Sequence, residues 1–488
     1  MSLSRNRLSS PSVRRAKIVC TLGPASRSAR VIDQLMHAGM DVVRLNFSHG
    51  THEEHAQTVA LIRETSARYQ RPIGILADLQ GPKIRTGTLE DGRPVQLRAG
   101  QSFLISMTDL VGTAAGVSTT FKSLASEVHK GDRILLADGS IELRVQSSSR
   151  GKIVCKVVYG GLLREHQGIN LPGVKLRTPA LTEKDLSDLG FALSCGVNYI
   201  GVSFVRRAED VTFAKSVIKR AGHNIPVIAK LEKPQAIENL DRILEVADGV
   251  MVARGDLGVE MNLEQVPVVQ KMVIGHAREA RVPVITATQM LESMTVNPRP
   301  TRAEASDVAN AIFDGSDAVM LSGETANGQY PVESVKRMDQ IIRAAEASVT
   351  EYRRPRPRDL LSLAETTAEL VCHASEELSM KVIAVFTESG TTARLISKHR
   401  PRPPIIAFSR NQNTRREVTL LWGVLPRKVD EITDLEQMVR TAENRLLEEG
   451  LVRQGDLIGL VAGTPLGVGG TTNFIQFHVI GGGEQVHR

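Results

Sequence analysis

The sequence predicts an α/β protein: a (β/α)8 TIM barrel with an inserted all-β lid domain and a C-terminal open α/β domain. Its 488 residues suffice for about three domains at ~150 residues each. Short apolar runs rich in Val and Ile alternate with amphipathic stretches, which is typical of parallel βα units buried on both faces. Eight such runs precede residue 322, and eight strands close a barrel.

The eight runs are the predicted barrel strands. They cover residues 17–22, 41–46, 73–78, 199–203, 226–231, 249–253, 283–287 and 318–321. We assign the barrel to residues 15–85 and 178–352. Residues 1–14, where arginines mix with serines, are expected to form a flexible N-terminal tail.

An insertion separates the third run from the fourth, because well over 100 residues lie between them. Within it, residues 86–177 carry turn signals at 91–92, 130–132 and 138–139, followed by an alternating pattern at 153–159. These features predict an all-β lid domain beside the barrel mouth.

A third domain is predicted after the barrel. An amphipathic helix at 331–352 leads into the Arg- and Pro-rich segment 353–358, which is typical of a stiff linker. In residues 360–488 the apolar runs 382–386, 404–408, 457–461 and 474–479 alternate with helical segments. This pattern predicts an open α/β sheet with a regulatory role.

Composition narrows the function. No apolar run approaches the ~20 residues of a membrane-spanning helix, so no membrane contact is expected. The net charge is +7 but aromatic residues make up only 3%, which argues against stacking on single-stranded nucleic acid and favours small anionic substrates. The four cysteines are far apart and no signal segment opens the chain, so a cytoplasmic location is expected.

Polar side chains collect where the predicted barrel strands end. Because parallel barrel strands end at one mouth, these residues are expected to form a site. They are Arg44 and Asn46, Asp78, Phe204 with Arg206, Lys230 and Glu232, Arg254 and Asp256, Thr288, and Ser322 with Glu324.

Two carboxylates at this mouth predict a metal site. Glu232 and Asp256 follow adjacent strands, and two like charges side by side are tolerable when a cation lies between them. Carboxylate oxygens suit Mg²⁺, which also binds substrate phosphates. The alternative is that the two carboxylates pair only with Lys230 and Arg254.

Basic side chains complete the predicted chemistry. Arg44 and Lys230 bring positive charge to the same mouth, as phosphoryl transfer requires for positioning and charge neutralisation. Thr288 would hydrogen-bond a carboxylate or help relay a proton, or else serve as a structural cap.

Seven long motifs give a family resemblance. They are CTLGPAS (20–26), RLNFSHG (44–50), DLQGPKIRTG (78–87), AKLEKPQAIEN (229–239), MVARGDLGVE (251–260), ATQMLESM (287–294) and RPTRAEASDVANAIFDGSDAVMLSGETA (299–326). Together they resemble pyruvate kinase from about residue 14 to the end. The resemblance implies a glycolytic enzyme that transfers the phosphoryl group of phosphoenolpyruvate to ADP, giving pyruvate and ATP, under a closing lid. It also implies a homotetramer.

The resemblance also implies roles for single residues. Glu232 and Asp256 would hold Mg²⁺ or Mn²⁺, and Lys230 would stabilise the transferring phosphoryl group as a catalytic residue beside Arg44 and Thr288. The implied substrate-binding residues are Arg44, Lys230, Gly255 through its backbone, Asp256 and Thr288, and those near the nucleotide phosphates are Asn46, His49 and Arg85.

A departure from the family pattern concerns potassium. Many relatives bind K⁺ with residues matching Asn46, Ser48, Asp78 and the carbonyl of Leu79, helped by a glutamate where this chain has Lys83. The lysine ammonium would supply the monovalent charge, as in the bacterial-type, potassium-independent relatives that carry it. We therefore expect activity without potassium. Should Lys83 instead point to solvent, strong activation by potassium would follow.

A second departure lies before residues 168–173. His166 and Gln167 stand where relatives often carry two lysines, one of which touches the nucleotide. Nucleotide binding is therefore expected to be weaker or differently arranged.

An effector site is expected in the third domain. Residues 387–392 follow a strand and precede a helix, so their backbone N–H groups and hydroxyls would form an anion nest. The resemblance implies a phosphate pocket closed by the loop 463–470, which lacks the tryptophan and Arg-Pro-Gly pattern of relatives that respond to fructose 1,6-bisphosphate. A sugar monophosphate or AMP is expected, and a simple capped helix is the alternative. The effector residues are Thr387, Ser389, Gly390, Thr391 and Thr392.

Two other functions compete with this interpretation. A magnesium-dependent barrel lyase or aldolase acting on an enolpyruvate would share Glu232, Asp256 and an arginine, but gives no reason for a lid or for Lys230 with Thr288. A catalytically silent binding protein on the same scaffold would be expected to lack some of the proposed ligands, and none is missing.

Overall fold

The computed structural model describes residues 14–149, 151–174, 179–349, 354–355, 361–465 and 471–482. Three predicted segments fall largely or partly outside these residues: the tail at 1–14, the linker at 353–358 and the loop at 463–470.

The first three strands start the barrel. They are β1 (Lys17–Thr21), β2 (Val42–Asn46) and β3 (Gly74–Asp78), joined by helices α1 (Ala29–Ala38) and α2 (His52–Arg68). Each helix begins where a hydroxyl accepts from the first turn: Ser28 from the N–H of Val31, and Thr51 from that of Glu54 in a capping box. These caps fix where each helix begins after the strand-to-helix loop.

The insertion after β3 folds as a β domain. Its elements are β4 (Val95–Leu97), β5 (Ser102–Ser106), β6 (Gly116–Ser118), α3 (Leu124–Glu127), β7 (Arg133–Leu136), β8 (Ile141–Ser149), β9 (Lys152–Tyr159), β10 (Gly161–Leu163) and β11 (Ile169–Asn170), with a 3-10 turn at Glu90–Gly92. Six strands form one sheet in the order β11-β7-β8-β9-β5-β6, and β10 pairs with β4. The domain has a hydrophobic core of its own, including Phe103, Ile134 and Leu143.

The chain then returns to the barrel. The elements are α4 (Glu183–Ser194), β12 (Tyr199–Val202), α5 (Ala208–Arg220), β13 (Val227–Leu231), α6 (Pro234–Glu238), α7 (Leu240–Val246), β14 (Gly249–Ala253), α8 (Arg254–Glu260), α9 (Val266–Glu279), β15 (Val284–Ala287), α10 (Arg302–Asp314), β16 (Ala318–Leu321), α11 (Gly323–Ala326) and α12 (Pro331–Ser348), with 3-10 turns at Leu263–Gln265 and Glu292–Thr295.

The barrel closes as the sequence predicts. Its strand order is β1-β16-β15-β14-β13-β12-β3-β2, and every neighbouring pair is parallel. All eight strands match predicted runs to within one residue at either end. Because the strands share one direction, their carboxyl ends meet at one mouth.

The last domain is an open α/β sheet. Its elements are α13 (Leu363–Glu377), β17 (Val382–Phe386), α14 (Thr391–Lys398), β18 (Ile405–Ser409), α15 (Gln412–Glu417), a 3-10 turn (Val418–Leu420), β19 (Val424–Lys428), α16 (Leu435–Glu448), β20 (Leu457–Gly463) and β21 (Thr472–Val479). The strand order is β19-β18-β17-β20-β21, with only the β20–β21 pair antiparallel. The edge strand β19 is an addition to the four predicted runs.

A buried ion cluster joins this domain to the base of the barrel. Asp317, just before β16, lies 2.6 Å from the Nζ of Lys398 and 2.9 Å from Nη1 of Arg400. All three residues are buried, with exposed fractions of 0%, 1% and 4%. Beside them, Nζ of Lys17 donates to the carbonyl of Val424 at 2.7 Å. The end of α14 is therefore fixed to a barrel strand.

Among the described residues, no helix is both long enough and apolar enough to span a membrane.

Candidate active site

Four charged side chains meet at the barrel mouth. Arg44 lies in the last three residues of β2, Asp78 ends β3, Lys230 is the next-to-last residue of β13 and Glu232 directly follows that strand. Nε of Arg44 is 2.6 Å from Oδ2 of Asp78, and Nζ of Lys230 is 3.2 Å from Oδ1 of Asp78 and 2.8 Å from Oε1 of Glu232. The sequence prediction that these strand ends converge is thus matched by direct contacts.

The charges in this cluster stabilise one another. Burial alone would lower the pKa of Lys230, but the carboxylates of Asp78 and Glu232 outweigh it and hold the pKa above its ordinary value. Burial alone would raise the pKa of Asp78, but Lys230 and Arg44 outweigh it and keep that pKa low. Lys230 is therefore a fixed cation and Asp78 a fixed anion.

Glu232 is the residue of the cluster whose negative charge is least stabilised. Burial raises its pKa, Lys230 opposes this rise, and the negative charge of Asp256 adds to it. The side chain is almost fully buried, with Oε2 accepting from the N–H of Phe204 at 2.8 Å. A divalent cation beside Glu232 and Asp256 would relieve their repulsion, so this donor set fits Mg²⁺ or Mn²⁺.

The protein contribution to such a site is small. Across the described ranges, no three His, Cys, Asp or Glu side chains gather as a metal-binding group. Two carboxylates leave most of an octahedral shell to water and substrate, which is the usual arrangement for Mg²⁺ at phosphate sites.

Thr288 and Gly255 form a second part of the mouth. The N–H of Gly255 donates to Oγ1 of Thr288 at 2.8 Å, and that hydroxyl donates to the carbonyl of Ala287 at 2.6 Å. Thr288 adopts φ +67°, which is unfavourable for a β-branched residue. Arg254 supports this conformation by donating to the Thr288 carbonyl at 2.7 Å.

Several other strand-end residues have structural partners. Arg254 is paired with Asp307 at 2.6 Å, not with Glu232 or Asp256, and Arg206 is paired with Asp210 at 3.3 Å. Glu324 is buried and accepts from the N–H groups of Leu291 and Ser322. Of the polar strand ends, these three hold loops in place.

The residues expected near the nucleotide lie beside this cluster. Asn46 accepts from the N–H of Ser48 at 3.2 Å. Burial lowers the pKa of His49, and the positive charges of Arg85, Lys83 and Arg44 lower it further. Three cations therefore lie within electrostatic range of His49.

The second departure from the family pattern also lies at this edge. Arg85 donates to the backbone carbonyl of His166 at 3.0 Å. The N–H of Gln167 donates to Oγ1 of Thr86 at 2.9 Å. Both contacts anchor the segment that carries Arg85.

Lys83 and Leu79 bear on the potassium question. Lys83 is half-buried. Its side chain passes beside Gly168, with the Lys83 Cε 4.0 Å from the point that a Cβ on residue 168 would occupy. The carbonyl of Leu79 accepts from Oγ of Ser203 at 2.7 Å. Oδ1 of Asp78 is buried, and its contact in the structure is the ion pair with Lys230.

Ser203 is a site residue that sequence reasoning missed, whereas Phe204 was named among the strand-end residues and contributes through its backbone. Ser203 accepts a hydrogen bond from Nζ of Lys230 at 2.7 Å, and Phe204 holds Glu232 through its N–H. Their only signal in the sequence is position, since Ser203 ends the fourth predicted run and Phe204 follows it.

Four of the five predicted effector residues, Thr387, Ser389, Thr391 and Thr392, line a pocket in the last domain together with Arg410 and Glu431. Oγ1 of Thr387 accepts from the N–H of Gly390 at 2.9 Å, and Thr391 is the first residue of α14. Thr392 shares a hydrogen bond of 2.6 Å with Thr472. Residues 466–470 of the expected closing loop lie outside the described part of the chain.

A closed parallel barrel whose mouth combines basic side chains with carboxylates has the charge arrangement expected of a barrel phosphotransferase. Residues 13–335 match the family described as pyruvate kinase, barrel domain, and residues 365–478 match pyruvate kinase, alpha/beta domain. The chain belongs to the pyruvate kinase family.

Individual relatives agree with this assignment. A pyruvate kinase of Geobacillus stearothermophilus is 46% identical over 479 residues, covering 96% of this chain and 80% of the relative. One from Corynebacterium glutamicum is 46% identical over 472 residues, covering 96% and 98%. The crystal structure of a pyruvate kinase from Cryptosporidium parvum superposes with a TM-score of 0.89 at 37% identity, covering 96% of each chain.

Proposed function

We propose that this chain transfers the phosphoryl group of phosphoenolpyruvate to ADP, in the cytoplasm, giving pyruvate and ATP. The observation that carries the proposal is the buried cluster of Lys230 with Asp78, Glu232 and Arg44, which keeps two fixed cations at the barrel mouth. In this reaction the bond from phosphorus to the enol oxygen breaks and one to an ADP oxygen forms. The enolate then takes a proton at carbon.

The chain's own residues have distinct tasks in this proposal. Arg44 binds the phosphate, and Lys230 stabilises the charge of the phosphoryl group as it moves. The N–H of Gly255 and the hydroxyl of Thr288 orient the substrate carboxylate and enolate. Glu232 and Asp256 would hold Mg²⁺ or Mn²⁺, which supplies further charge neutralisation when bound.

The nucleotide and the lid complete the site. Asn46, His49 and Arg85 lie on the edge where the ADP phosphates would bind, and the inserted domain would close over them to exclude water. Because His166 and Gln167 contribute backbone contacts there, we propose an altered arrangement of the nucleotide.

We propose that the enzyme works without potassium. Lys83 is half-buried and its positive charge contributes to the lowered pKa of His49, which supports the proposal that its ammonium supplies the monovalent charge. A potassium ion in the same place would meet electrostatic repulsion.

The last domain is proposed to bind a phosphorylated effector, either a sugar monophosphate or AMP, between residues 387–392 and Arg410. We also propose a homotetramer. Exposed apolar side chains support it on two faces: Leu263, Val268 and Met272 on the barrel, and Phe477 and Val479 on the edge strand β21. Sedimentation of the purified protein tests the assembly.

The first test is pyruvate formation from phosphoenolpyruvate and ADP with Mg²⁺ in a sodium buffer, repeated with potassium. Wild-type activity in sodium alone is expected. The Lys83→Glu variant should need potassium, because the added carboxylate requires a cation. Absence of pyruvate in both salts, with and without sugar phosphates or AMP, would refute the proposed reaction and reopen the lyase or aldolase alternative.

A further inference from the structure

Lys230 has three N–H donors and three neighbours, but these neighbours are not equivalent. The carboxylates of Asp78 and Glu232 lie at 3.2 and 2.8 Å and are charged, whereas the Ser203 hydroxyl is a neutral acceptor at 2.7 Å. A hydrogen bond depends on angle as well as distance. Ser203 therefore adds a directional contact that does not depend on the charge of either carboxylate.

The Ser203 hydroxyl is itself oriented. Its proton goes to the carbonyl of Leu79 at 2.7 Å, so its lone pairs face Lys230. The side chain has little freedom, because Ser203 is only 3% exposed. The position of the Ser203 acceptor is therefore set by Leu79 and by burial, independently of Lys230.

The next residue holds the other member of the pair. Phe204 has φ +55°, an uncommon conformation for a large side chain, and in it the N–H points to Oε2 of Glu232 at 2.8 Å. Two adjacent residues at the end of β12 thus hold Lys230 and Glu232 of β13. Because a divalent cation would compete for Glu232, Ser203 and Asp78 are the supports that remain for Lys230.

We propose that Ser203 is a positioning residue that aims the Lys230 ammonium at the transferring phosphoryl group, an inference that rests on the proposed function. Its hydroxyl contacts Lys230 and the carbonyl of Leu79, so it would act through Lys230. Its loss should affect the chemical step more than substrate binding, because Arg44 and Gly255 remain to bind phosphoenolpyruvate.

The test compares Ser203→Ala with Ser203→Thr, which keeps the hydroxyl. A hydrogen bond to a charged group is commonly worth a factor of about 10 to 100, so Ser203→Ala should lose about that factor in kcat. Its KM for phosphoenolpyruvate should change less than about threefold, and Ser203→Thr should recover most of kcat. Ser375→Ala is the control, since Ser375 is also buried and donates to a backbone carbonyl at 2.7 Å.

A second measurement is independent of activity. In the metal-free protein, Lys230 should be labelled by an amine-directed reagent faster in Ser203→Ala than in wild type, as read by peptide mass spectrometry. An unchanged kcat, or an unchanged labelling rate, would overturn the positioning role. If wild-type protein forms no pyruvate but Ser203→Ala labels faster, the proposed function fails while the contact stands.

Discussion

The ion cluster between the last domain and the barrel base makes a quantitative prediction. Asp317→Asn keeps the size of the side chain and removes the only negative charge shown to contact both Lys398 and Arg400 within the described residues. Removing one partner of a buried ion pair costs about 3 to 5 kcal/mol, since the remaining charges stay buried without compensation. We expect a loss of that size in the free energy of unfolding at pH 7.

The loss should depend on pH. Burial lowers the pKa of Lys398 to about 8 against the opposing effect of Asp317, so without Asp317 the pKa falls further. A lysine with a depressed folded-state pKa binds fewer protons than the unfolded chain, and stability rises with pH between about 8 and 10.5. Above pH 8 Lys398 can lose its proton in either protein. The difference in free energy of unfolding between the variant and the wild type should therefore be smaller at pH 9 than at pH 7.

The chain offers its own reporter. Trp422 is the only tryptophan in the sequence, it is 2% exposed, and the guanidinium of Arg400 lies 4.7 Å from its ring centroid. Urea unfolding followed by its fluorescence therefore reads the structure beside the cluster. Asp109→Asn is the control, because the Asp109–Lys122 pair is exposed and its loss should leave the urea midpoint unchanged. An unchanged midpoint for Asp317→Asn, or equal losses at pH 7 and pH 9, would refute the reasoning.

Three further outcomes are expected. Burial and the charge of Asp248 raise the pKa of Glu417 to about 7, so the folded state binds more protons than the unfolded chain and the wild type loses stability from about pH 4.5 to pH 7. In urea titrations, Glu417→Gln should increase the free energy of unfolding by up to about 3 kcal/mol at pH 8 and leave it unchanged at pH 4. Equal increases at both pH values would contradict this. Thr288→Val should leave the N–H of Gly255 without its acceptor and reduce kcat/KM about 10- to 100-fold, whereas Thr288→Ser should retain most activity; equal losses in steady-state assays would point to strain alone. Phosphoenolpyruvate should raise the midpoint of thermal unfolding when divalent metal is present. Chelation of the metal should abolish both this rise and pyruvate formation, and added Mn²⁺ should restore both. A rise that survives chelation would argue against the metal site.

Much of the barrel could be predicted because its strands are buried on both faces and read as continuous apolar runs. The convergence of Arg44, Asp78 and Lys230 follows from the shared direction of those strands. The edge strand β19 could not be found in this way. Pro426 lies inside it, and proline is tolerated there because β19 pairs on one side only, with β18.

The limits of prediction within the site are also physical. Arg254 and Lys230 look alike in the sequence, since each is a basic residue at the end of a strand. Which of them faces the substrate depends on neighbours distant in sequence: Asp307, on α10, pairs with Arg254. Ser203 had no distinguishing pattern because its importance comes from two bonds to other strands, with Leu79 and Lys230. Such cross-strand partners are set by barrel closure.

The inserted domain has a consequence for how the chain reaches its native state. β3 must pair with β12 across the whole insertion, and closing a long flexible loop costs conformational entropy that grows with its length. The insertion shortens this search, because the N–H of Ile169 donates to the carbonyl of Ile84 at 2.9 Å and that of Thr86 to Gln167 at 2.8 Å. With its own core, the insertion can fold first and present its two ends side by side, so that for the barrel it acts as a short connection. A chain in which residues 86–166 are replaced by a tight turn should therefore still form the barrel, with the mouth left open to water.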